Sequence, residues 1–248
     1  MREKIIELDR VDAGYPGVKV LEEVTFDVFK GEIFVLLGGS GCGKSTLLKH
    51  MIGLNPVLGG GLKVAGMPWT AATRRSIYRK IGVMYQSGAL FGSMTCLENV
   101  RLPLDEFSDL SRSAREGKAM RLLADVELED AADRMPSEIS GGMRKRVAIA
   151  RAMALDPEVV FLDEPGAGLD PLTACALDEL ILSLRRTRGM TFVVVTHELE
   201  SVFKIADRAA MFDRARRSMV ALGPPRELRE KSDDPFVRRF FNRGEEHE

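Results

Sequence analysis

The sequence predicts an α/β protein built on a mostly parallel sheet, with a helical segment inserted into it. Three observations carry this reading. Near-continuous apolar runs of strand length recur at "EIFVLL" (32–37), "IGVMY" (81–85), "EVVFLDE" (158–164) and "MTFVVVTH" (190–197), as strands buried on both faces require. Helical patterns alternate with them, which is the order that places parallel strands side by side. Residues 95–157, by contrast, hold helical patterns with no strand signal between them.

Taken in order, "KIIEL" and "VTFDVF" read as two early strands. The 32–37 strand is followed by a Gly-rich turn and the helical pattern "KSTLLKHMIGL". After the 81–85 strand comes "YQSGALFGSMT" (85–95), turn-rich but carrying Leu90, Phe91 and Met94. That much apolar surface on a loop suggests something covers it. "TCLE" then places Thr95 and Glu98 as a capping box at a helix start. "SRSAREGKAMRLLADVEL" and "GGMRKRVAIARAMAL" continue the helical segment. The basic run Arg144, Lys145 and Arg146 reads as a solvated helix face. Between the last two strands, Leu177, Leu180, Ile181 and Leu184 recur at helical spacing. Asp170 caps this helix, Pro171 suits its first turn and Gly189 stops it. The expected division is a single domain of 1–248. Residues 1–94 and 158–223 form its core, 95–157 a helical subdomain and 224–248 short C-terminal helices and a tail.

The totals narrow the function. With 36 basic and 37 acidic residues the net charge is −1, whereas a dedicated nucleic-acid binder carries a basic excess. Cys42, Cys96 and Cys175 are widely spaced and odd in number, so neither a disulfide framework nor a zinc site is expected, and a reducing compartment fits. No apolar run approaches the ~20 residues needed to cross a bilayer, so the chain is expected to be soluble by itself.

"GGSGCGKST" (38–46) lies between a strand and a helix and matches G-x-x-x-x-G-K-[ST] through Gly38, Gly43, Lys44 and Ser45. Gly38, Gly39, Gly41 and Gly43 let backbone N–H groups approach phosphate oxygens closely. Ser40, Cys42 and Thr46 complete the loop, and the helix N-terminus adds partial positive charge. Lys44 supplies a full charge to the β- and γ-phosphates, and Ser45 can ligate Mg²⁺. "VVFLDE" ends its strand in two carboxylates: Asp163 fits a Mg²⁺-holding acid, and Glu164 can polarise a water for in-line attack. His197, at the end of the next strand, is placed to donate to the γ-phosphate.

A second Gly-Gly turn at a helix start, "SGGM" (140–143), is a further anion-binding element. One chain offers no second phosphate for it. Two chains packed head-to-tail do: each would present Ser140, Gly141 and Gly142 to the ATP held by the other.

Together with "AGYPG", Gln86, "AGLD" and the order of all these motifs, the sequence resembles the ATPase subunits of ABC transporters over nearly its whole length. The resemblance implies a P-loop NTPase core with N-terminal antiparallel strands. It also implies ATP and Mg²⁺ as ligands, Tyr15 as the adenine-stacking residue, Gln86 as a sensor of Mg²⁺ and water, and Asp170 in the loop following the acids. A homodimer would drive an integral membrane permease docked near Leu90, Phe91 and Met94, on the cytoplasmic face of the inner membrane. Two positions depart from the family pattern: Met143 stands where Gln is usual, and Gly39 where Pro is common. "YQSGALF", "SGGM" and "DPFVRRFF" are similar to the ATPases of MCE/Mla-type phospholipid systems. That resemblance implies an MCE-domain protein and a small regulatory subunit as further partners. The alternative is another ABC system, such as a polar amino-acid importer. ABC ATPases acting on DNA or ribosomes carry a long coiled-coil insertion or tandem cassettes. Each motif occurs once here, and 54 positions separate Gln86 from Ser140.

Overall fold

The computed structural model describes residues 2–242; 243–248, the end of the expected tail, lie outside the described residues. The fold has two sheets. A six-stranded sheet runs in the order β10-β9-β3-β8-β7-β6, and a four-stranded sheet in the order β2-β1-β4-β5.

In the larger sheet, β3 (Ile33–Gly38), β6 (Ile81–Met84), β7 (Val159–Asp163), β8 (Thr191–Thr196) and β9 (Arg208–Asp213) are parallel. β10 (Ser218–Gly223) closes one edge antiparallel to β9. The apolar runs are continuous because each strand feeds two cores. Ile33, Val35 and Leu37 of β3 pack into one core with Val160, Leu162, Phe192 and Val194. Phe34 and Leu36 pack into the other with Phe161, Val193 and Val195. This is the period-two alternation of a strand, applied to a sheet with no solvent face. Phe34 stacks on Phe26 across the second core, ring centroids 4.9 Å apart.

The smaller sheet pairs β1 (Lys4–Tyr15) with β2 (Val18–Phe29) and with β4 (Gly59–Val64), all antiparallel. The short β5 (Met67–Pro68) completes it. β1 and β2 are each 12 residues long; β1 starts with the expected "KIIEL" and continues beyond it to Tyr15, and β2 starts earlier, at Val18, and ends with the expected "VTFDVF". Helix α1 (Lys44–Met51) follows β3, and α2 (Arg74–Tyr78) precedes β6.

Between β6 and β7 run α3 (Cys96–Phe107), α4 (Arg112–Asp125) and α5 (Gly141–Ala152), with no strand among the described residues there. The capping box forms as its sequence requires: Thr95 Oγ1 accepts from the Glu98 N–H at 3.2 Å, and the Glu98 carboxylate accepts from the Thr95 N–H at 2.8 Å. Helix α6 (Pro171–Arg188) begins on an Asp170 cap with proline in the first turn and ends at left-handed Gly189 (φ 64°). Helices α7 (Leu199–Ile205), α8 (Pro225–Lys231) and α9 (Pro235–Phe241) complete the chain. No described helix is long and apolar enough to cross a membrane.

Candidate active site

Because β3, β6, β7 and β8 are parallel, everything that follows their C-terminal ends gathers along one edge of the sheet, where ligands of α/β folds bind. That edge receives the phosphate loop after β3, Gln86 after β6, the two acids after β7 and His197 after β8.

The loop Gly38–Gly43 turns on positive-φ glycines: Gly38 at 150°, Gly41 at 73° and Gly43 at 104°. Two of them are also sterically obligatory. A Cβ on Gly38 would stand 2.6 Å from the Phe212 carbonyl oxygen, and one on Gly43 2.8 Å from Leu21 Cγ. The backbone is thus pressed between β9 and β2, where only a residue without a Cβ fits. Gly39 has open space around the same construction. Lys44 opens α1, and its buried ammonium donates to the Gly38 and Gly39 carbonyls at 2.7 and 3.1 Å. Cys42, 2% exposed, lies 3.8 Å from that nitrogen. Burial pushes its thiol up, with the Lys44 charge opposing. A buried thiol shifted in this direction is an inert filler under the loop rather than an activated thiolate. Thr46 is half-buried in the first turn of α1, and Ser40 is exposed on the loop.

Ser45 Oγ and Asp163 Oδ1 face each other at 3.4 Å. Both are hard oxygen donors. Mg²⁺ usually takes one or two protein oxygens and completes its shell with phosphates and water, so this pair fits the ion. Burial, and then the neighbouring Glu164, hold the Asp163 carboxyl above the usual aspartate range. Glu164 points the other way, and its carboxylate accepts from His197 Nδ1 at 2.9 Å. The Glu164 backbone is left-handed, φ 47°. This conformation costs a non-glycine residue about 1–3 kcal/mol. It is held at both ends: the N–H donates to Val195 O at 2.8 Å, and the carbonyl accepts from Lys145 Nζ at 3.3 Å.

Tyr15 ends β1, 44% exposed. Its neighbour Gly14 is fixed by His50 of α1, whose Nε2 accepts from the Gly14 N–H at 2.9 Å. His50 is therefore structural, bracing the Tyr15 turn. Ser140 caps α5, its Oγ accepting from the Met143 N–H at 3.2 Å. Gly142 lies against α6, where a Cβ would stand 2.5 Å from Thr173 Cγ2. Gly141 meets only ordinary contacts. Met143 packs partly against the core. Asp170 accepts from Thr173 N at 3.0 Å and Thr173 Oγ1 at 2.6 Å, and these bonds hold its carboxyl below the usual range.

Gln86 is exposed, and its backbone carbonyl accepts from Lys145 Nζ. The loop beyond it is tied to the helices, a feature the motifs did not announce. Arg151 donates to the Gly88 and Ala89 carbonyls, each at 2.7 Å. Buried Asn99 of α3 accepts from the Phe91 N–H at 2.8 Å and donates to the Phe91, Met94 and Thr95 carbonyls. Phe91 is 51% exposed on this braced loop, Met94 is half-buried, and Leu90 packs partly against the core. Lys145 itself is buried, which corrects the solvated-face reading at that position, while Arg144 is exposed and Arg146 half-buried.

The family model described as "ABC transporter" matches residues 21–167. The chain belongs to the ABC transporter ATP-binding family. It is 37% identical over 240 residues to the probable ribonucleotide transport ATP-binding protein mkl of Mycobacterium leprae, covering 96% of this chain and 68% of that protein. The intermembrane phospholipid transport system ATP-binding protein MlaF of Escherichia coli is 37% identical over 226 residues, covering 90% of this chain and 83% of MlaF. The chain spans about two thirds of the mycobacterial relative's length. Among solved structures, CbiO1 of Clostridium perfringens superposes with a TM-score of 0.84 at 25% identity, covering 91% of this chain and 90% of that one. The ATP-binding cassette MJ0796, a dimer in a post-hydrolysis state with ADP and Pi, superposes with a TM-score of 0.78 at 30% identity over 88% of this chain and 98% of that one. The chain is thus an ABC ATPase.

Proposed function

We propose that this chain is the ATP-hydrolysing subunit of a phospholipid transporter of the MCE/Mla type, working as a head-to-tail homodimer with two ATP molecules. Within each site the phosphate loop and Lys44 hold the phosphates, and Tyr15 stacks on the adenine. Ser45, Asp163 and Gln86 would hold Mg²⁺, which supplies charge neutralisation at the phosphates when bound. Glu164 takes a proton from the attacking water, and His197 orients Glu164 and contacts the γ-phosphate edge. Ser140, Gly141, Gly142 and Met143 of the opposite protomer close the site, with Asp170 beside it. Phe91 and Met94, flanked by Leu90, receive a membrane permease, which holds the dimer peripherally at the cytoplasmic face of the inner membrane. An MCE-domain protein and a small regulatory subunit complete the assembly.

The observation that carries the cargo is the match to MlaF over 83% of that protein's length, in line with the resemblance of "YQSGALF", "SGGM" and "DPFVRRFF". A second reading, an importer of small polar solutes, draws on 36% identity to a methionine import protein of Lactobacillus delbrueckii and 40% to an aliphatic sulfonates import protein of Cupriavidus necator. Purification of the natural complex, with mass spectrometry of its partners and bound lipid, decides between them. Co-purified phospholipid and phospholipid-stimulated ATPase activity in vesicles support the first reading. Stimulation by methionine or a sulfonate, with no lipid effect, overturns it.

A further inference from the structure

Lys145 has no part in the motifs, yet it lies where they meet. Its Cα is in α5, five residues beyond the Ser140 cap, so it belongs to the helix that presents the Ser-Gly-Gly turn. Its ammonium is buried, 7% exposed, and donates to two carbonyls on two other elements: Gln86 O, at the end of β6, and Glu164 O, at the end of β7. The carboxylates of Asp163, Glu164 and Glu198 face it and favour its charge, against a burial that pushes its pKa down. An ammonium in so little water is costly unless its donors are met, and the two carbonyls offset part of that cost.

The Glu164 carbonyl, which accepts from Lys145 Nζ at 3.3 Å and from the Ala167 N–H at 3.2 Å, helps hold that residue in its left-handed conformation together with the N–H bonded to Val195 O. Rotation of this peptide turns the carboxylate that His197 Nδ1 contacts. We propose that Lys145 is a positioning residue. It transmits the placement of α5, and with it the Ser140–Gly142 turn serving the partner's ATP, to the Gln86 backbone and the Glu164 carboxylate of its own site. The proposal rests on the roles given above to Glu164 and the turn, and goes beyond them by tying the two sites of a dimer through one buried cation. A helix that shifts when its turn engages nucleotide moves the ammonium, and the ammonium moves the general base.

The test uses the full chain and four variants: Lys145→Met, Lys145→Arg, Glu164→Gln and Lys145→Met with Glu164→Gln. Steady-state ATPase kinetics, nucleotide affinity and thermal midpoint are measured on each. Lys145→Met is expected to lower kcat by roughly 10²-fold, the cost of a misplaced catalytic group, with KM and nucleotide affinity within about twofold. Lys145→Arg, which keeps the charge and donors, restores part of kcat. In the Glu164→Gln background Lys145→Met adds no further loss, because the group it positions is already gone. Wild-type kcat in Lys145→Met overturns the proposal, as does a full additional loss in the double variant. If Lys145→Met does not fold, Lys145→Gln, a neutral donor of similar length, takes its place under the same criteria. Wild-type turnover in Glu164→Gln alone would instead remove the general base, a failure of the underlying reading that the single variant distinguishes.

Discussion

His197 Nδ1 and the Glu164 carboxylate lie 2.9 Å apart, each at the end of its own strand. A carboxylate only accepts, so the shared proton sits on Nδ1 and the ring is fixed in orientation. Glu164→Gln is expected to keep MgATP affinity while lowering kcat by about 10²–10⁴-fold. His197→Ala should lower kcat too, and the double variant should lose far less than the product of the two losses, because the pair acts as a unit. Single-turnover ATPase measurements on the three proteins check this.

Phe91 and Asn99 separate docking from folding. Phe91 is half exposed, and Phe91→Ser should change stability by no more than about 0.5 kcal/mol. Removing a side chain that a partner buries should weaken the complex by about 1.5–3 kcal/mol, read as reduced co-purification of the permease. Asn99 is fully buried, and Asn99→Ala leaves loop backbone groups unpaired, at about 1–3 kcal/mol of fold stability. Leu90 packs partly on the core, so its substitution mixes the two effects.

The thiols should differ sharply. Cys175 is exposed, whereas Cys42 and Cys96 are buried with their thiols pushed up. Iodoacetamide on the folded chain should label Cys175 first. Cys42→Ala should leave ATPase activity within about twofold, since the buried thiol has no chemical role. Peptide mapping and an activity assay read both outcomes.

Asp163 makes stability fall as pH rises. Its raised pKa means the folded chain holds this proton more tightly than the unfolded chain does. The resulting stability is present below the unfolded value and is lost as pH rises through the folded one. At neutral pH the ionised Asp163 therefore opposes folding, as active-site charges often do. Asp163→Asn should raise the thermal midpoint of the nucleotide-free chain near pH 7.5, and the gain should shrink toward pH 4. The same variant should lose Mg²⁺-dependent hydrolysis.

Local chemistry was legible. Thr95 with Glu98, and Asp170 with Pro171 and Gly189, delimit helices because capping involves neighbours in sequence. The phosphate loop, the acids and His197 could be placed because each follows a recognisable buried strand. Strand β4, by contrast, begins with Gly59, Gly60 and Gly61, which carry no strand propensity. It forms because a Cβ at Gly60 would stand 2.1 Å from Arg10 O, so only glycine lets β1 approach there. The Lys145, Arg151 and Asn99 tethers escaped for another reason. The first two span about 60 residues of sequence, and a buried basic helix position reads like an exposed one until its partners are in place. Asn99 bonds within eight residues, but nothing in its neighbourhood marks an asparagine as buried.

The central claim is that each ATP is held between the phosphate loop of one protomer and the Ser-Gly-Gly turn of the other. Lys44→Ala removes a charged donor, at about 1.5–3 kcal/mol of phosphate binding. Gly141→Glu blocks the turn, while a Cβ there meets only Leu169 and Arg144 side chains at ordinary distances. Each variant alone has two damaged sites per dimer and should be nearly inactive. A mixed dimer restores one site with an intact loop facing an intact turn, and places both lesions in the other. ATPase activity measured across mixing ratios should rise to a maximum near equal amounts of the two folded variants. A flat, inactive profile at every ratio would contradict head-to-tail sites.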